Sequence, residues 1–197
     1  MVRTALVVVA SLSALVVTGS SGAAGQATRV HVVRPFNGSH IAAAFRVART
    51  VRGFCTDSSW EDMGRSNGWR CGWSNYIADP CFSGRPPVQY VLCPVPPLRG
   101  RKVVVKLRLT KPLRTRETHR RLGRIWPWAV RLAGGERCLS TAATAGSDFH
   151  GRRMNYACQP GGLIVGYLNR KTPGWTVLFA SSLKARLTRV RVTDAYW

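Results

Sequence analysis

The residues best suited to chemistry in this 197-residue chain are six cysteines, a small group of carboxylates and a long run of bases. Cys55, Cys71, Cys81, Cys93, Cys138 and Cys158 are even in number, and their spacings of 16, 10, 12, 45 and 20 contain no Cys-x-x-Cys. Zinc sites use closer pairs together with histidines at fixed distances, so no metal is expected. An even set points instead to disulfides and to an oxidising compartment, and it leaves no thiolate for nucleophilic catalysis. The cysteines alone leave the connectivity open. Short loops close most easily, which favours neighbour pairing: Cys55 with Cys71, Cys81 with Cys93, Cys138 with Cys158. In the chain-entropy account each such bridge contributes about 3 kcal/mol.

The carboxylates are scarce and clustered. Between Cys55 and Cys81 stand Asp57, Glu61, Asp62 and Asp79 against Arg65 and Arg70, an acidic island in a chain whose net charge is +22. Two carboxylates flanking a bond would suffice for glycoside hydrolysis, so Glu61 or Asp62 with Asp79 is the alternative reading as a small secreted hydrolase. Internal pairing with arginines is the simpler one. Ser147, Asp148 and His150 lie close in sequence, but catalytic triads assemble through the fold and the Gly-x-Ser-x-Gly elbow is missing, so this segment reads as a polar turn. His31 and His40 precede the main domain, and His119 sits among arginines. No cofactor motif is present.

The strongest binding signal is the segment from Arg99 to Arg124. It holds Arg99, Arg101, Lys102, Lys106, Arg108, Lys111, Arg114, Arg116, Arg120, Arg121 and Arg124 against the single acid Glu117. Such a density of positive charge attracts polyanions. An anionic wall polymer or an anionic lipid surface is the expected partner. Nucleic acid is disfavoured, because no aromatic residue interrupts the run to offer a base a stacking platform. A different class, a carbohydrate-binding module, would use Trp60, Trp69, Trp73 and the Trp126-Pro127-Trp128 pair, although buried aromatics are the default in a small β domain.

Elements able to position these groups read as mainly β. In Lys102–Thr110, Val103, Val105, Leu107 and Leu109 alternate with Lys106, Arg108 and Thr110, the pattern of a half-buried strand. WAVRLAGGERCL predicts a hairpin through Gly134-Gly135, and Asn155–Cys158 leads through Pro160-Gly161-Gly162 into Leu163-Ile164-Val165 as a second. Trp175–Ala180 is apolar on both faces, as a central strand would be, and Val190 and Val192 alternate with Arg189 and Arg191 in a last one. Short strands at regular spacing predict an antiparallel sandwich or barrel with long disulfide-stapled loops. One short N-terminal helix over residues 40–52 competes with a strand from Phe45 to Val51. Ser39 would cap that helix, Ile41, Phe45, Ala48 and Val51 would form its stripe, and Gly53 would stop it.

The amino terminus reads as an export signal. Met1-Val2-Arg3 supplies positive charge, residues 5–17 form an uncharged apolar run, and Ala23, Ala24 and Ala27 offer cleavage points. The expected organisation is a signal peptide over 1–27, a leader over 28–49 and one disulfide-bonded β-rich domain over 50–197. The ordered series TVRGFC, WRCGWSNYIADPCF, Val91-Leu92-Cys93-Pro94, LRLTKPL, PWAVRLAGGERC, MNYAC, PGWTVLFA and a terminal aromatic pair resembles a group of secreted actinobacterial proteins of unassigned function. The resemblance covers Thr50–Trp197 and implies export and a shared disulfide-bearing domain, with no activity or ligand attached. Together these readings predict a secreted, non-enzymatic interaction protein of the cell envelope or extracellular space.

Overall fold

The computed structural model describes residues 26–59, 67–95, 102–113, 126–141 and 148–197. The segment read from sequence as an export signal lies, but for its last two residues, outside the described residues. Among those residues the regular structure is entirely β, organised as two closed barrels. The first is built from β4 (Arg46–Ser58), β5 (Gly68–Trp73), β6 (Tyr76–Ser83), β7 (Tyr90–Pro94) and β8 (Val103–Leu109). The second follows β9 (Ala129–Leu132), β10 (Arg137–Ser140), β12 (Arg152–Gln159), β13 (Leu163–Asn169), β14 (Thr176–Ala180) and β15 (Thr188–Tyr196), with the short β11 (Asp148–Phe149) attached to β12.

Strand count decides how each barrel closes. Successive strands of a meander alternate in direction, so after five strands the first and last run the same way, and after six they oppose. Accordingly β4 pairs with β8 in parallel, whereas β15 pairs with β9 antiparallel. An antiparallel barrel is thus the rule with one parallel seam in the first unit. A second parallel pair comes from β1 (Arg29–His31), which lies alongside the end of β15.

Residues 40–52 are not helical. His40–Ile41 forms β3, paired with β2 (Phe36–Asn37), and β4 begins at Arg46. Of the two readings of this stretch, the strand holds. Val47, Thr50 and Val51 are β-branched, and backbone pairing to β8 outweighs an isolated amphipathic helix of three turns. Gly53 has a role other than helix stop. A Cβ there would collide with the Gly72 carbonyl on β5 and lie 2.8 Å from Leu107 Cδ1, so only hydrogen fits at this point of the barrel interior. The boundary between residues 49 and 50 falls inside β4. Residues 28–45 are woven into the fold: Thr28 donates its amide to the Pro173 carbonyl (2.9 Å), and Val33 donates to the Trp197 carbonyl (2.8 Å).

The three disulfides join Cys55 with Cys71, Cys81 with Cys93, and Cys138 with Cys158. Each connects neighbouring strands of one barrel, Cys55 lying directly opposite Cys71 and Cys138 opposite Cys158 in the ladders. The bridges therefore staple ladders. Each barrel has its own core, Trp69, Trp73, Val91 and Leu107 in the first and Tyr156, Ile164, Val177 and Val192 in the second. A third cluster joins them: Phe82 of β6 packs with Val33, Trp128, Ala129 and Tyr196. Both expected hairpins form, β9–β10 turning at Gly135 with φ near +92°, and β12–β13 turning at Gly162.

Candidate functional site

On β8 the alternation read from sequence is realised. Val105 and Leu107 fill the first barrel, and Lys106 and Arg108 face outward. Val104 shares their outward face but is fully buried, because at that end the outer surface of the barrel is covered. The parallel seam then enlarges the basic face. Thr50 of β4 lies beside Lys106, and Arg52 lies beside Arg108. On the other flank Tyr90 of β7 lies opposite Arg108. Neither β7 nor β8 carries a carboxylate, and the one acid of β4, Asp57, stands near its far end.

Aromatic rings support these cations. Lys106 Nζ sits 4.1 Å from the centroid of the Tyr90 ring, Lys111 Nζ 5.5 Å from Phe54, and Lys102 Nζ 5.8 Å from Phe45. Phe54 is 43% exposed. Sequence reasoning found no aromatic residue within the basic run, and none is there. The rings arrive from β4, β7 and the segment before β4, a proximity that only sheet registration creates. Arg52 was missed for the same reason, being 56 positions from Arg108. Of the basic run, Lys102, Lys106, Arg108 and Lys111 are placed, whereas Arg99, Arg101, Arg114, Arg116, Arg120, Arg121 and Arg124 lie outside the described residues.

A cleft of about 430 Å³ opens beside this face, lined by Val30, Val32, Phe45, Val95 and Lys102 with His31 and Tyr196 at one side. His31 stacks on Tyr196, with ring centroids 4.7 Å apart and planes 14° from parallel. Behind it Asp194, 3% exposed, accepts from His31 Nε2 at 2.9 Å, from Arg29 Nε at 2.9 Å, and from Thr193 Oγ1 at 2.9 Å. Burial by itself would raise the Asp194 pKa. Hydrogen bonds from His31, Arg29 and Thr193, with the Arg29 charge, outweigh it and hold the carboxyl below its ordinary range. The same contact raises Arg29, and burial followed by the Asp194 charge raises Tyr196. This arrangement fixes the His31 ring and ties β1 to β15. Its partners are more than 160 residues apart, so no local motif announces it.

The other candidates resolve differently. Asp79 accepts a hydrogen bond from the buried Ser59 hydroxyl. Glu61 and Asp62, and the side chain of Asp57, are outside the description. Ser147 is also outside it, while Asp148 Oδ1 accepts from the Gly151 amide at 2.6 Å and His150 meets Phe149 edge-on, the geometry of a turn. Trp69, Trp73 and Trp128 are buried and pack the core, so those rings offer no face to a sugar. Trp60 is outside the described residues, and Trp126 is half-buried. Among the described residues no three His, Cys, Asp or Glu side chains converge as a metal ion would require.

No family model matches the chain, and neither a curated protein nor a solved structure is significantly similar to it.

Proposed function

We propose that this protein is a non-enzymatic interaction protein of the cell envelope or extracellular space, and that it binds anionic polymers through the outward face of β4 and β8. One observation carries the reading: the parallel seam sets Arg52 beside Arg108 and Thr50 beside Lys106, joining two separate basic segments into a single face. Rings beneath Lys106 and Lys111 restrict these cations, which lowers the entropy lost when they meet an anion. Three intramolecular disulfides are of the kind that oxidising compartments sustain, and the apolar run at residues 5–17 fits export. The polymer is of the wall type, a chain of repeated phosphate or carboxylate charges, and anionic lipid is the competing surface.

Binding of linear polyphosphate, measured against salt, tests this reading. If Arg52, Lys106, Arg108 and Lys111 each neutralise one phosphate, log affinity falls with log salt at a slope near −3, at roughly −0.7 per contact for a flexible strand. Changing all four to Gln abolishes most of that slope. Changing Arg152, Arg153, Lys171 and Lys184, all exposed, to Gln removes the same net charge and changes the slope far less. Equal losses from the two variants overturn the proposal, and tighter binding to anionic vesicles than to polyphosphate transfers the face to lipid.

A further inference from the structure

The strand β1 has a second edge. Trp197 donates its amide to the His31 carbonyl at 2.9 Å, and Val33 donates to the Trp197 carbonyl at 2.8 Å. Both bonds use odd-numbered residues, so the odd positions of this stretch face β15. Successive residues of an extended chain turn their N–H and C=O groups to opposite sides, and the amides and carbonyls of Val30 and Val32 therefore point away from β15. Among the described residues no strand pairs with that edge, and β1 stands at the end of its sheet order.

This edge lacks the devices that usually keep an edge from pairing. No proline, lysine or acid interrupts residues 30–33, and the side chains of Val30 and Val32 are 51% and 53% exposed. The strand is also held firmly. Val33 packs into the cluster between the barrels, while His31 and Arg29 are fixed on Asp194. The cleft described above runs along residues 30–34, with Phe45 and Val95 in its lining. No carboxylate lines it, whereas Arg34 and Lys102, both exposed, bring positive charge to it.

We infer that the open edge of β1 receives an extended acidic peptide, which joins the sheet of the second barrel as a further strand. Main-chain hydrogen bonds supply the affinity in such an addition, and alternate side chains supply the selection. An antiparallel partner with residues opposite Val30 and Val32 exchanges two hydrogen bonds with each of them. Those two residues share the face of the valines, where apolar, β-branched side chains pack best. Arg34 lies two positions further along the same face, kept extended because it precedes Pro35, and it selects a carboxylate. Along the partner the order is acid, any residue, apolar, any residue, apolar. A second copy of this chain is a poor occupant, since each copy carries a net charge of +22. Residues 96–101 are a poor one too, because Pro96 and Pro97 have no N–H to give. The edge is separate from the β4–β8 face, its bonds coming from the main chain of another strand.

The probe is the capped peptide Glu-Thr-Val-Thr-Val-Thr, added to the oxidised protein, with amide hydrogen exchange read by nuclear magnetic resonance. Before addition, the amides of Val30 and Val32 exchange freely while those of His31 and Val33 are protected. Peptide at about ten times its Kd slows exchange at Val30 and Val32 about tenfold, because only the unoccupied edge exchanges. N-methylation of both peptide valines abolishes that protection by removing their donors. Val32→Pro removes an N–H that the fold does not use and weakens binding by about tenfold. Arg34→Glu, at an exposed position, weakens it by about fivefold and transfers the preference to a peptide with Lys in place of Glu. Changing Arg52, Lys106, Arg108 and Lys111 to Gln leaves peptide binding within about twofold, since separate sites behave additively. Protection of Val30 and Val32 before peptide is added overturns the assignment, giving the edge to a second copy if it grows with protein concentration and to the chain itself if it does not. Unchanged exchange on adding peptide, equal binding of the N-methylated peptide, or loss of binding in the four-Gln variant overturns it as well.

Discussion

Asp194 Oδ1 accepts a hydrogen bond from His31 Nε2 at 2.9 Å, joining the first strand of the fold to the last. Arg29 reaches the same carboxylate from two positions earlier, so one buried acid anchors an entire strand. The folded-state pKa of Asp194 lies below its unfolded value of about 3.9. Its contribution to stability is therefore fully present above that value and is lost as pH falls through the lower, folded one. Melting temperature measured against pH should show a steep acid limb below about pH 4, and Asp194→Asn should flatten it. At neutral pH, Asp194→Ala should cost about 2 kcal/mol. Parallel acid limbs for the two proteins down to pH 2 would contradict this role.

Gly53 should tolerate no side chain. Its Cβ would meet the Gly72 carbonyl and the Leu107 methyl, so Gly53→Ala should destabilise by about 1–3 kcal/mol through forced overpacking. Urea denaturation reads this directly. Wild-type stability for the variant would place Gly53 outside the barrel interior.

The disulfide map should contain the three neighbour pairs and no free thiol. Thiol labelling of the denatured, unreduced protein should find none, and peptide mapping should return Cys138 linked to Cys158. Replacing both of those with Ser should cost about 3 kcal/mol, and any crossed pair between the two barrels would refute the two-barrel arrangement.

Maturation should leave Thr28 in place. Its hydroxyl donates to the Val192 carbonyl at 2.7 Å and accepts from the Trp175 amide at 2.8 Å, helping to hold the second barrel. Amino-terminal sequencing of the exported protein should begin between residues 24 and 28. A start beyond Thr28, or a retained Met1, would disagree with the cleavage points read from Ala23, Ala24 and Ala27.

Local features of this protein are written in local sequence. Alternation in Lys102–Thr110 was enough to define β8, because side chains on a strand change face at every residue. Glycines at 135 and 162 mark hairpins because both take up positive φ in the turn. Neighbour pairing of cysteines follows from the same economy, since adjacent strands of a meander bring adjacent cysteines together. Residues 40–52 show where this reasoning stops: Ile41, Phe45, Ala48 and Val51 satisfy a helical stripe, and only the partner strand β8 makes the extended form preferable.

Which strands become neighbours was decided by closure, a property of the whole chain. An odd number of strands forces β4 and β8 to run parallel, which places Arg52 next to Arg108, while antiparallel β7 on the other flank brings Tyr90 beneath Lys106. The basic run was visible in the sequence, but its aromatic lining and its second row of cations were not. The same holds for the open edge of β1 along its cleft, and for His31 at Asp194. Composition and periodicity report what each segment can bury. Only the tertiary fold, by bringing distant backbones into register, determines which side chains act together.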